Sequence, residues 1–183
     1  QWEIEGVTAP LSVLQKLQPA LRKGQWQVSV ALHQPANTEE FRILDVWPGL
    51  HEGGLYGLAI DLGSTTIAAH LCDLADGRVL ASSGLMNPQI RFGEDLMSRV
   101  SYAMMNPGGD AEMTRAVQQA IATLATEIAA EGGIDPSLIF ETVIVCNPVM
   151  HHLLLGIDPV ELGQAPFALA TSGSLTLAAR DIG

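Results

Sequence analysis

The stretch whose residue types and spacing could do chemistry is Asp61-Leu62-Gly63-Ser64-Thr65-Thr66. Binding a phosphate requires several donors converging on one spot, and a nucleotide usually brings a divalent cation that a carboxylate helps to hold. Here an apolar run ends on Asp61, and a carboxylate at the end of a buried strand is costly unless a cation or hydrated metal offsets it. Gly63 permits a tight turn and lets backbone come close to an oxygen. Ser64, Thr65 and Thr66 add hydroxyls and turn N–H groups. A Walker-type loop would need Gly-Lys-Ser/Thr opening a helix, and the stretch has neither the lysine nor a helical pattern after it. The same residue types also build plain surface turns, which is the competing reading.

Other candidate groups are weaker. His151 and His152 invite a metal or cofactor ligand reading. Neither His-Glu-x-x-His nor Asp-x-His-x-x-Gly occurs, and adjacent side chains at a helix start diverge, so a structural or polar-contact role is expected. Glu94 and Asp95, with Arg91 and Arg99 close in sequence, read as the acidic first turn of a helix, where the dipole favours them; a catalytic carboxylate pair lining a cleft is the competing reading. Cys72 and Cys146 each sit inside an apolar run, as buried free thiols of a reduced compartment do. Met97, Met104, Met105 and Met113 are expected to fill the core.

Size and charge bound the remaining possibilities. With 183 residues, 48% of them apolar, the chain can bury one full domain and a smaller piece. Twenty acidic against nine basic residues give a net charge of −11, which argues against a nucleic-acid backbone or an anionic membrane as the main partner. Any anion must therefore be held locally. No apolar stretch approaches the roughly 20 residues that span a bilayer, and no signal peptide opens the chain, so a cytoplasmic location is expected. The chain starts at Gln1 without an initiator methionine and stops soon after the polar "TSGS", which reads as a piece of a longer polypeptide.

The elements that must position the Asp61 stretch can be read from periodicity. "PLSVLQKLQPALRK" places Leu11, Leu14, Leu17 and Leu21 at helical spacing ahead of Gly24. "WQVSVAL" and "EFRILDVW", joined by "HQPANTE", predict a hairpin. "PGLHEGG", residues 48–54, is the candidate boundary, with an α+β piece over 1–52 and a larger unit over 56–183. The larger unit opens as a meander of strands at 58–62, 66–74 and 79–84. A short helix over 93–105 and a longer one follow. In the longer helix Met113, Val117, Ile121, Leu124 and Ile128 form one stripe, Asp110 is the expected N-cap and Gly132-Gly133 the stop. A fourth strand covers 141–147. "GIDP" occurs at 133–136 and 156–159, each copy reading as an Asp cap with Pro as the first helical residue. The order β-β-β-α-α-β is an α/β arrangement that matches the first lobe of a ribonuclease-H-like sheet and not a Rossmann alternation.

"GLAIDLGSTT" resembles the first phosphate motif of the ASKHA superfamily, which includes acetate and sugar kinases, heat-shock ATPases and actin. More narrowly, "YGLAIDLGSTTIA", "NPQIRFGEDLMSRV" and "NPVMHHLLLGIDPVELGQAPF" look like successive blocks of the reductive activators of corrinoid-dependent proteins, across residues 56–167. The resemblance implies the first lobe of an actin-like ATPase domain, preceded by the end of a middle or linker domain. It implies ATP with Mg²⁺, with Asp61 on the Mg²⁺-bound water as the catalytic carboxylate and Gly63, Ser64, Thr65 and Thr66 on the phosphates. Where such activators usually carry a Gly-Asn-Thr-like run after the fourth strand, this chain has Cys146-Asn147-Pro148-Val149, leaving Asn147 to offer its amide to the cleft. ATP in that family helps drive an uphill electron transfer from a ferredoxin-type [2Fe-2S] domain that returns Co(II) corrinoid to Co(I). The cluster needs four cysteines with C-x4-C-x2-C spacing, so it is expected in the parent protein and not in this chain, as is the opposite ATPase lobe. A corrinoid protein or corrinoid-dependent methyltransferase is the implied partner, with a homodimer as a candidate assembly. A sugar or acetate kinase-like phosphotransferase lobe and a non-catalytic assembly module are the alternatives.

Overall fold

Asp61 and its neighbours lie at the end of the first strand of a four-stranded sheet, in a computed structural model that describes residues 6–35 and 38–182. The chain divides into two units, Gln1–Gly53 and Gly54–Gly183.

In the first unit β1 (Val7–Thr8) is followed by α1 (Leu11–Lys23), β2 (Val28–His33) and β3 (Phe41–Pro48). The sheet order is β1-β3-β2, with β2 and β3 forming the expected antiparallel hairpin and β1 parallel to β3. The residues of the hairpin connection at 36 and 37 lie outside the described ones. The face that α1 buries differs from the one expected. Val13 and Ala20 are buried, with Leu17 beside them, against Val46 and Ile43 of β3, whereas Leu11 and Leu14 are exposed. Two overlapping stripes at 3.6-residue spacing were available, and small Ala20 belongs to the one that lets the helix approach the sheet.

The second unit opens with β4 (Tyr56–Leu62), β5 (Thr66–Asp73) and β6 (Val79–Met86), an antiparallel meander. A 3-10 turn (Pro88–Phe92) leads to α2 (Leu96–Met105) and α3 (Gly109–Glu131). Then come β7 (Ile139–Cys146) and α4 (Pro148–Leu155). The sheet order β6-β5-β4-β7, with β7 parallel to β4, is the ribonuclease-H-like arrangement of an actin-like ATPase lobe. Alternation along β4 sends Leu58, Ile60 and Leu62 into the core, where they meet Ile67, Leu71, Met113, Val117, Leu124, Ile128, Met150 and Leu153. The C-terminal carbonyls of α4, which lack partners within the helix, are taken up by α3: Thr114 Oγ1 donates to Leu153 O at 2.7 Å and Gln118 Nε2 to Leu154 O at 3.0 Å.

Several local expectations are corrected. Asp110 is not the cap of α3: the N-cap is Gly108, whose φ of 83° is left-handed, and Asp110 lies inside the first turn, where its charge suits the dipole. The two "GIDP" copies start 3-10 turns and not α-helices. Asp135 accepts from Ser137 N and Asp158 from Val160 N, both at 2.9 Å, and in the second copy Pro159 precedes the turn. Met97, Met104 and Met105 are exposed, because α2 turns Arg99 and Val100 inward instead; Met113 is buried as expected. Cys72 and Cys146 are free and half-buried, not buried. Cys72 lies one position past the core residue Leu71, and Cys146 ends β7, a strand at the sheet edge.

Candidate functional site

Three residues, Gly63, Ser64 and Thr65, connect β4 to β5, and Gly63 N donates to Thr66 O at 3.0 Å to close the turn. The closure explains the glycine: a Cβ on Gly63 would sit 2.7 Å from that same Thr66 oxygen.

The carbonyls of the loop all have partners, and all come from the segment after β6. Asn87 Nδ2 donates to Gly63 O at 2.8 Å, and Asn87 N to Thr65 O at 2.8 Å. Arg99 Nη2 donates to Ser64 O. By contrast, the N–H groups of Ser64 and Thr65 and the hydroxyls of Ser64, Thr65 and Thr66 have no hydrogen-bond partner among the described residues. Ser64 is half-buried, and Thr65 and Thr66 are exposed. With its carbonyls tied to the protein, the loop is left with N–H groups and hydroxyls that can donate, which is the polarity of an anion cradle.

Behind the loop lies a buried polar network. Asn87, Gln89 and Arg99 are each 0% exposed. Asn87 Oδ1 accepts from Gln89 N at 2.9 Å, Gln89 Nε2 donates to Met113 O at 3.0 Å, and Arg99 Nε donates to Gly93 O at 2.9 Å. Arg99 Nη1 contacts Met150 Sδ at 3.2 Å. Burial pushes the Arg99 guanidinium below its ordinary range, and the charge of Asp95 opposes that shift.

Asp61 is exposed, which corrects the picture of a carboxylate buried at a strand end. Alternation puts it on the sheet face opposite Ile60 and Leu62, level with Ala68 of β5 and Val145 of β7. Its carboxylate is therefore accessible to a hydrated cation. The thiol of Cys146 is pushed up first by its own burial and second by the negative charge of Asp61.

Because β4 and β7 are parallel, with Leu62 level with Cys146, their carboxyl ends meet, and in open sheets that edge is where ligands bind. Asn147 starts α4 there: its Oδ1 accepts from Met150 N at 3.0 Å as a cap, leaving the amide NH₂ to offer a ligand. A depression of about 290 Å³ beside it is lined by Cys146, His151, Thr171 and Ser172. Two other candidates, His152 and Asp95, have structural roles. His152 is buried, with Nδ1 2.8 Å from Pro148 O and Nε2 accepting from Ala170 N at 3.2 Å, which uses both ring nitrogens. Asp95 caps α2 through Ser98 N at 2.7 Å in a reciprocal capping box, which holds its carboxyl below the usual range. Among the described residues no group of three or more His, Cys, Asp or Glu side chains could hold a metal ion.

Comparison with known proteins places this geometry. The family model for the RACo middle region matches residues 56–183, and that for the RACo linker region matches residues 1–53. The chain belongs to the RACo family. This RACo chain is 33% identical over 141 residues to the corrinoid activation enzyme RamQ of Eubacterium limosum, covering 76% of the chain and 24% of RamQ. It is also similar to a solved reductive activator for a corrinoid, iron-sulfur protein, at 32% identity and a TM-score of 0.79, covering 90% of this chain and 26% of that one. It thus spans about a quarter of the length of these relatives.

Sequence reasoning reached the hairpin of this RACo chain but missed Asn87, Gln89 and Arg99 as its support. The available signal was their position in the block "NPQIRFGEDLMSRV"; nothing in periodicity marks an arginine on a short helix as buried.

Proposed function

We propose that this RACo chain supplies the phosphate-binding wall of an ATP site in a reductive activator that returns Co(II) corrinoid proteins to Co(I). The observation that carries the reading is the polarity of the Gly63–Thr65 loop, whose three carbonyls are tied inward while its two N–H groups and two hydroxyls, with the hydroxyl of Thr66 beside them, are left for an anion. The match to relatives that are a corrinoid activation enzyme and a reductive activator supports the choice of process.

In this reading residues 1–52 are the end of a linker domain and 56–183 the first lobe of the ATPase-like domain. Ser64 and Thr65 N–H groups and the hydroxyls of Ser64, Thr65 and Thr66 receive phosphate oxygens. The exposed Asp61 carboxylate is the group that would hold water of a phosphate-bound Mg²⁺, which would supply charge neutralisation at the phosphates and needs no protein cage. Asn147 adds its amide from the start of α4. Nucleotide bound between this wall and a second lobe favours the closed arrangement, and closure favours docking on the corrinoid partner. That coupling is limited by the difference in ATP affinity between open and closed states. The residues here do not fit an iron–sulfur cluster, since Cys72 and Cys146 are half the thiolates required, and no electron step is assigned to them.

The full-length protein, mixed with a Co(II) corrinoid protein and a low-potential electron donor, is expected to form Co(I) faster and further with Mg-ATP than without, read from the corrinoid absorbance. Identical traces with and without nucleotide would remove ATP from the mechanism.

A further inference from the structure

A fully buried guanidinium is costly unless something offsets its charge. Arg99 is 0% exposed, and its contacts are the carbonyls of Gly93 and Ser64, the Gln89 side chain and Met150 Sδ. These are neutral groups. Among the described residues no carboxylate lies within ion-pairing distance of it. The acid whose charge acts on it, Asp95, is exposed and committed to capping α2. One polar route outward for the charge runs through the Ser64 peptide: Arg99 holds the carbonyl of Ser64, and the next N–H along the chain, that of Thr65, has no partner among the described residues. A hydrogen bond to a carbonyl polarises the peptide and strengthens the donor on its far side.

We propose that Arg99 is the positioning residue of the phosphate loop: its guanidinium fixes the Ser64 peptide with N–H groups outward, and the phosphate bound there compensates its buried charge. The second half rests on the nucleotide reading above; the first half does not. Asn87 shares the positioning work, through its own bonds to Gly63 O and Thr65 O.

Two measurements on the full-length protein separate the halves. Without nucleotide, amide hydrogen exchange is followed at Gly63 and Asn87, whose N–H groups close the loop on Thr66 O and Thr65 O. Arg99→Met is expected to speed exchange at both by about tenfold or more, with the β4 and β7 core amides unchanged. Unchanged exchange at Gly63 and Asn87 overturns the positioning role. In the second measurement Mg-ATP is titrated into wild type, Arg99→Met and Arg99→Lys. The methionine variant should bind at least about tenfold more weakly, and the lysine variant, which keeps charge but not the fork of donors, should fall between them. Equal affinity of wild type and Arg99→Met, or a lysine variant as weak as the methionine one, overturns charge compensation. If the wild type itself fails to bind Mg-ATP, the nucleotide reading fails and charge compensation with it, while the exchange result still decides positioning. Should Arg99→Met not fold, Arg99→Lys carries both arms: faster exchange with Mg-ATP affinity within about tenfold of wild type supports the proposal, and a complete loss of binding overturns it.

Discussion

At the scale of single residues, the site depends on which way small polar groups face. Asp61 and Leu62 are neighbours, yet one is exposed and the other is 1% exposed, because strand side chains alternate. The alternation was legible in Leu58, Ile60 and Leu62. Asp61 therefore lies on the open face, where its charge is not buried and is accessible to a hydrated cation. The influence of the Asp61 charge on Cys146 can be read in solution. Both burial and the Asp61 charge disfavour the Cys146 thiolate, so removing the charge should lower the pH at which the thiol reacts. In a Cys72→Ser background, Asp61→Asn is expected to shift the pH midpoint of Cys146 alkylation downward. A midpoint that stays put would mean that the two groups do not sense each other.

At the scale of elements, periodicity identified α3 from Met113, Val117, Ile121, Leu124 and Ile128, all at 0% or 1% exposure except the half-buried Ile121. The meander was legible from alternation and turn residues. Caps and faces were less so. Asp110 is a good capping residue, but a left-handed backbone at position 108 was available only to Gly108, and the helix begins there. Arg99 was invisible for a similar reason: a charged residue on a short helix reads as solvated, and only the docking of the loop against α2 shows it to be enclosed. Asp95 gives α2 a titratable start. Its carboxyl is held low by Ser98 N–H first and the Ser98 hydroxyl second. A folded-state value below 3.8 means that its stabilisation is complete above that pH and is lost as pH falls through the lowered value. Asp95→Asn keeps a capping oxygen without titrating. Its melting temperature should therefore fall less than that of wild type as pH is lowered from neutral to below 3.8; equal losses would indicate that other carboxylates dominate acid unfolding.

At the scale of the molecule, the sheet order β6-β5-β4-β7 brings the carboxyl ends of β4 and β7 together. Residues 86 positions apart in sequence, Asp61 and Asn147, thereby reach one edge. The order of elements carried that topology, since three consecutive strands followed by helices and a returning strand leave few ways to pair a parallel neighbour. What the order could not carry is the opposite wall: the RACo relatives are about four times as long as the matched region, and a clamp needs both sides. The central claim is that the Gly63–Thr66 hairpin with Asp61 binds the phosphates of Mg-ATP. Calorimetric titration of Mg-ATP into the full-length protein, wild type beside Asp61→Asn, tests it most directly. Measurable binding by the wild type is expected, weakened by about tenfold or more in the variant, equivalent to about 1.4 kcal/mol. Equal affinities for the two proteins would contradict it.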